Sequence, residues 1–240
     1  MNAATPILQT RGLSKRFGGV AAVDGVDFNL REGELRCLIG PNGAGKSTFF
    51  RMLTGLKPSG GEILLRGRPI QGLDAHEIGL AGIAVKTQVP NVFDGLSVRA
   101  NIMIAAFRDR PRREAAETVQ AILDRLHLTP IADRPVGVLA HGQRQWAEMG
   151  IVLAQDADIV LLDEPTAGMT QEEVRRTAEI IRDINRDRSV IVVEHDMKFV
   201  RLIAGTVTVF HRGAILTEGP VEEILADRRV RDVYLGRKPA

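Results

Sequence analysis

The stretch Gly40-Pro41-Asn42-Gly43-Ala44-Gly45-Lys46-Ser47 has glycines at its first, fourth and sixth places and closes on a lysine and a hydroxyl. The pattern, G-x-x-x-x-G-K-[ST], suits the holding of a chain of phosphates. Glycines let successive backbone N–H groups turn toward one point with no Cβ in the way. A helix starting at the end of such a loop adds the partial positive charge of its N-terminus. Lys46 supplies a mobile ammonium for the β- and γ-phosphates, and the Ser47 hydroxyl can ligate Mg²⁺. Thr48, the next residue, belongs to the same phosphate-facing group.

About one chain in a hundred of this length would match by chance, so the setting has to decide. Glu34–Ile39 reads as a strand leading into the loop, and Ser47–Thr54 as a helix leading out, with Phe49, Phe50 and Leu53 inward. A second feature supplies what a phosphate loop lacks. The apolar run Ile159–Leu162 ends in Asp163-Glu164-Pro165. A buried strand ending in a carboxylate puts Asp163 beside the loop, where it can hold Mg²⁺ through water. Glu164 is then placed to polarise an attacking water as general base. Together these residues point to a P-loop enzyme that binds and hydrolyses a nucleoside triphosphate.

The elements that must position them follow from the patterning. Val26, Phe28 and Leu30 alternate with polar residues, Arg31-Glu32-Gly33 is a turn, and Lys57-Pro58-Ser59-Gly60-Gly61 is a breaker cluster before the strand Ile63–Leu65. From about Asn91 to Asp156 the texture turns helical. Ser97 is a candidate N-cap, and Ala116, Val119, Ile122, Leu123 and Leu126 recur at helical spacing. Thr170 and Glu173 make a capping-box pattern before a helix reaching about Asn185. Ser189–Val193 and Thr206–Phe210 read as further buried strands. The expectation is an α/β fold: a mostly parallel core sheet, an antiparallel β subdomain near the N-terminus and an α-helical subdomain inserted at 91–156, all within one domain of residues 1–240.

Composition narrows the setting. The formal net charge is +2 and the basic residues are scattered, so no nucleic-acid partner is expected. The densest basic run, Arg108–Arg113, reads as a solvated loop. The single cysteine, Cys37, excludes an internal disulfide and reads as a buried small hydrophobe in a reducing compartment. Residues 1–11 carry no signal-peptide pattern, and no apolar run approaches the roughly 18 residues of a membrane span. A cytoplasmic location is expected.

Leu139-Ala140-His141-Gly142-Gln143, twenty residues before Asp163, resembles the signature motif of ABC ATPases, normally Leu-Ser-Gly-Gly-Gln. The resemblance covers essentially the whole chain. It implies that two such domains pack head to tail, with each ATP between the P-loop of one and the signature of the other. It also implies that Phe17, before Gly18, stacks on adenine, a contact worth roughly 1–3 kcal/mol. Gln88 would be the glutamine that reaches the metal and its water, and His195, in Val193-Glu194-His195-Asp196, would contact the γ-phosphate. Two departures stand out. Ala140 replaces a serine whose hydroxyl would reach the phosphate across the dimer, and His141 replaces a glycine and adds a ring at the same place. Ala167-Gly168-Met169-Thr170 also differs from the family's usual Ser-Ala-Leu-Asp.

A finer resemblance is to ATPases of the branched-chain amino acid uptake group, carried by Ala167-Gly168-Met169, Glu194-His195-Asp196-Met197 and Tyr234-Leu235-Gly236. Within it, Gly33–Gly40 and His141–Trp146 look most like the urea-transporter branch, so urea is the expected cargo, with branched-chain amino acids or short amides as the alternative. The implied partners are a second, non-identical ATPase subunit, two transmembrane permease subunits and, indirectly, an extracytoplasmic substrate-binding protein. The chain would sit at the cytoplasmic face of the inner membrane. A permease helix would enter the groove between the Gln88 loop and the helical block.

Overall fold

A computed structural model describes residues 6–88, 91–108 and 110–234. The chain begins with an antiparallel hairpin, β1 (Leu8–Phe17) and β2 (Val20–Leu30). Val26, Phe28 and Leu30 are its buried face, as the alternation requires. β3 (Leu35–Ile39) and α1 (Lys46–Leu53) follow, then β4 (Gly60–Leu65) and β5 (Arg68–Pro69). Gly60 and Gly61 open β4 instead of standing before it, and β4 joins the hairpin in a four-stranded sheet of order β2-β1-β4-β5.

β3 belongs to a second, six-stranded sheet, to which the chain returns after α2 (Ala75–Ala81) with β6 (Ile83–Lys86). The chain then leaves it for three helices, α3 (Val98–Ala106), α4 (Arg112–Arg125) and α5 (His141–Ala154). It returns with β7 (Ile159–Asp163), α6 (Gln171–Ile184), β8 (Ser189–Val193), α7 (Met197–Ile203), β9 (Thr206–His211) and β10 (Ala214–Pro220), and the described part ends with α8 (Val221–Ala226) and α9 (Arg228–Tyr234). Leu235 and Gly236 of the C-terminal resemblance lie outside the described residues.

The sheet order is β10-β9-β3-β8-β7-β6, parallel except for β10. β3 and β8 are buried along their whole length, which is why they read as apolar runs but for Arg36 and Ser189. Their side chains alternate between two cores. Cys37, Ile39, Val190 and Val192 face the helical block, α6 and α7. Leu38, Ile191 and Val193 face α1 and the antiparallel sheet. Cys37 is fully buried, and burial drives its thiol pKa well above the usual range.

The helical block packs tightly. Ser97 caps α3 by accepting from the Ala100 amide, as its type and place suggest. Ala115, not Ala116, is buried on α4. At about 100° per residue, Val119, Ile122, Leu123 and Leu126 define a stripe with Ala115 about 30° from its centre and Ala116 about 70° away. Arg110 is not solvated either. It donates to the carbonyl of Ala154, the last residue of α5, and pairs with Asp156 at 2.9 Å. A cation at a helix C-terminus satisfies a carbonyl the helix cannot.

Candidate nucleotide site

Topology brings the chemistry-bearing loops into one row. β3, β8, β7 and β6 lie side by side and parallel, so their C-terminal ends open on the same edge. Along that edge stand the Gly40–Gly45 loop, His195, Asp163 with Glu164, and Gln88, in spatial order. Ligands of open α/β sheets bind outside the carboxyl ends of strands.

The phosphate loop is shaped by close approach. Gly40 and Gly45 have φ of 147° and 105°, and a Cβ would lie 2.3 Å from the Phe210 carbonyl oxygen at the first and 2.5 Å from that of Ala22 at the second. β9 and β2 thus press the loop from two sides, and only glycine fits. The contact at Ala22 also ties the loop to the hairpin that bears Phe17, whose ring is half exposed with the Lys15 ammonium 5.3 Å from its centre. Pro41, Asn42, Gly43 and Ala44 make the crest, and Ser47 and Thr48 lie in the first turn of α1. Lys46 Nζ donates to the carbonyls of Gly40 and Pro41 at 2.6 and 3.1 Å. Burial pulls its pKa below the usual lysine range, against Glu164 and Asp163, whose charges favour the ammonium. A loop that only glycine fits at Gly40 and Gly45, a helix start and this ammonium form a cradle that fits a polyphosphate.

Asp163 closes β7. Burial and then the neighbouring Glu164 push its carboxyl pKa upward, while Lys86 and Lys46 oppose the shift. A nearby hard cation would favour its ionised form. Among the described residues no three His, Cys, Asp or Glu side chains cluster as metal ligands. Mg²⁺ does not need such a cluster, since one or two protein oxygens and the substrate phosphates serve it.

Glu164 is held from several sides. Its φ is 45°, and its amide donates to the Val193 carbonyl at 3.0 Å. One carboxylate oxygen accepts from Gln88 Nε2 at 3.1 Å, and the other lies 3.4 Å from His195 Nδ1. Three residues far apart in sequence therefore meet at one carboxylate. Glu194, which the sequence reading passes over, organises the neighbourhood. It is buried, accepts from Thr166 Oγ at 2.7 Å, and its other oxygen accepts from the His195 amide at 3.1 Å. The signal was there: an acid closing a five-residue apolar strand directly before a histidine.

Leu139 packs against the core, Ala140 stands at the N-cap of α5, and Gln143 Oε1 accepts from the Ala140 amide at 3.3 Å. Alanine has no oxygen to cap the helix in return. His141 and Gly142 face the loop after β7: His141 Nε2 lies 2.8 Å from the Ala167 carbonyl oxygen, and Glu173 of α6 packs on Gly142.

Comparison with known proteins assigns the family. Residues 23–167 match the family model described as ABC transporter. The chain is 37% identical over 251 residues to the high-affinity branched-chain amino acid transport ATP-binding protein BraF of Pseudomonas aeruginosa, spanning 96% of this chain and 98% of that protein. It is 34% identical to LivG of Escherichia coli, described in the same words, over the same shares of both. Among solved structures, the ADP conformation of an ATP-binding cassette of an ABC transporter superposes with a TM-score of 0.87 at 27% identity, over 97% of this chain and 100% of that one. A nucleotide-free ATP-binding cassette gives 0.86 at 26% identity over 96% and 99%. The fold is that of an ATP-binding cassette, and the chain belongs to the ABC transporter family of ATPases. No helix among the described residues is long and apolar enough to cross a membrane.

Proposed function

We propose that this chain is the ATP-hydrolysing subunit of an importer for branched-chain amino acids. The observation that carries the reading is its identity, over nearly its full length, with ATPases described as serving that transport. Urea, favoured by the short stretches Gly33–Gly40 and His141–Trp146, has weaker support, because both lie beside nucleotide elements and not beside cargo. Deleting the gene and following uptake of labelled leucine and urea separates the two. Loss of leucine uptake alone is expected, and loss of urea uptake alone would overturn the cargo.

In this reading Phe17 stacks on adenine, and backbone amides of the loop after Pro41, with Lys46, hold the β- and γ-phosphates. Ser47 and Asp163 hold Mg²⁺, with Gln88 beside it, and Thr48 faces the phosphates. Mg²⁺ supplies charge neutralisation on the phosphate oxygens. Glu164 takes a proton from water as its oxygen adds to the γ-phosphorus, and the bond to the bridging β–γ oxygen breaks, giving ADP and phosphate. The Glu164–Gln88 and Glu164–His195 contacts support this, since they aim the carboxylate from both sides. Residues Leu139–Gln143 complete the site of a second ATPase subunit; this chain sits at the cytoplasmic face of the membrane, and two permease subunits, fed from the other side by an extracytoplasmic binding protein, provide the cargo path. Lys46→Ala should abolish ATP hydrolysis in the assembled transporter, and near wild-type turnover would sink the site assignment.

A further inference from the structure

The third signature residue, His141, does not point its ring out toward a partner in this structure. Nε2 lies 2.8 Å from the carbonyl oxygen of Ala167, and a carbonyl only accepts, so Nε2 carries the hydrogen. The ring has room because residue 168 is glycine. With φ 73° there, a Cβ would stand 3.3 Å from Nε2. Its neighbour Gly142 is docked as well. A Cβ at 142 would lie 2.3 Å from Glu173 Oε1, while the other oxygen of that carboxylate accepts from the Thr170 amide and hydroxyl at 2.8 and 2.9 Å. Two adjacent signature residues are therefore seated on one stretch, His141 on the loop after β7 at Ala167 and Gly142 on the first turn of α6 at Glu173.

That loop starts at the general base. The Ala167 amide donates to the Glu164 carbonyl at 3.2 Å, and the Met169 amide to that of Thr166 at 3.1 Å. These are consecutive tight turns, and Thr166 is pinned to the buried Glu194. A shift of the signature helix start moves the Ala167 carbonyl, and with it the turn that sets Glu164 in its left-handed conformation. We infer that His141 is a positioning residue: within one chain it ties the signature helix to the turn carrying Glu164, so that nucleotide docking on this signature is felt at this subunit's own base. The inference rests on the ATPase reading above and adds to it a route, named atom by atom, between the two faces of the subunit.

The test uses the complete transporter with its other ATPase subunit inactivated, so that turnover reports only the site containing this chain's Glu164. His141→Ala should lower kcat about ten-fold, the rate equivalent of one lost hydrogen bond, and leave the KM for ATP unchanged. His141→Gln, whose amide can donate to Ala167, should recover most of the rate. Gly168→Ala, which crowds the ring without touching it chemically, should repeat the kcat loss. In the free subunit, nitrogen NMR should find the His141 hydrogen on Nε2. A raised KM with kcat intact would place the ring on nucleotide and overturn the inference, as would an unchanged rate in His141→Ala or a hydrogen on Nδ1. Unfolding midpoints exclude simple loss of fold. A His141→Ala variant that unfolds leaves the Gln and NMR arms to decide. Lys46→Ala in the same assay keeps the failures apart: if it still turns over, the ATPase site is misassigned, whatever His141 does.

Discussion

At the scale of single residues, Glu164 shows how a carboxylate is aimed. Gln88 and His195 touch its two oxygens from neighbouring strand ends, and its amide is fixed to Val193. Replacing it by glutamine keeps the shape and removes the proton acceptor. Glu164→Gln should lower turnover by about 10²–10⁴-fold and spare ATP affinity, so that subunits associate with ATP and stay associated. ATPase rate and ATP-dependent size-exclusion check both arms, and unchanged turnover would remove Glu164 from the chemistry. The glycines of the loop differ in a graded way. A methyl group at position 40 meets the Phe210 carbonyl at 2.3 Å, whereas position 43 meets nothing within 4 Å. Gly43→Ala should cost only the left-handed penalty of about 1–2 kcal/mol. Gly40→Ala should cost more and lose nucleotide binding, as unfolding midpoints and ATP affinity will report.

At the scale of elements, the joint between sheet and helical block is an ion pair. Lys86, the last residue of β6 and two before Gln88, lies 3.4 Å from Glu148 of α5, and both side chains are almost fully buried. Burial lowers the lysine pKa and raises that of the acid, each opposed by the partner. Among the described residues Glu148 Oε1 has no hydrogen-bond partner. Removing one member strands the other, so Lys86→Met should destabilise by about 3–5 kcal/mol, while Lys86→Met with Glu148→Leu should be near neutral. Urea denaturation of the two variants decides this, and a single variant as stable as the double would show that the pair is not charged in the fold. α5 offers a gain in the other direction. Ala140→Ser would supply the missing N-cap oxygen, worth about 1 kcal/mol of stability. Elements of this kind were unevenly legible. β7 and β8 are covered on both faces and declare themselves as apolar runs, β3 does so despite the buried Arg36, and the phosphate loop is written almost letter by letter. β10 is an edge strand whose residues are mostly half-exposed, so it has no apolar signal to read. Arg110 and Lys86 were opaque for the opposite reason, since a charge in a loop or strand looks solvated until its partner, 46 or 62 positions away, is brought to it.

At the scale of the molecule, the row of loops on the sheet edge and the signature at the start of α5 serve different nucleotides in the proposed pairing, so one subunit holds halves of two sites. Which transporter it serves was not legible, because cargo is chosen elsewhere in the assembly. Phe93 is 61% exposed, and its amide donates to the buried Asn101 at 2.8 Å, so the backbone that carries this exposed ring is fixed on the loop following the Gln88 segment. Such an exposed apolar group suits a permease contact. Phe93→Asp should leave the unfolding midpoint of the free subunit within about 0.5 kcal/mol of wild type. It should also reduce the permease recovered with the tagged subunit, and full recovery would place the permease contact elsewhere.

The backbone of Glu164 has one more consequence. A side chain at φ 45° costs the folded chain about 1–2 kcal/mol, which glycine would not incur, although glycine gives back about 0.5–1 kcal/mol through the greater freedom of the unfolded chain. The Gly variant should therefore outlast the Ala variant on heating by about 2–4 °C, and on the proposed role of Glu164 both should lose ATP hydrolysis. Heat resistance and turnover pull against each other at this position. A screen of this chain for thermal robustness alone should recover inactive variants there, and scanning calorimetry of Glu164→Gly beside Glu164→Ala would measure the stability forgone where the proposed general base is held.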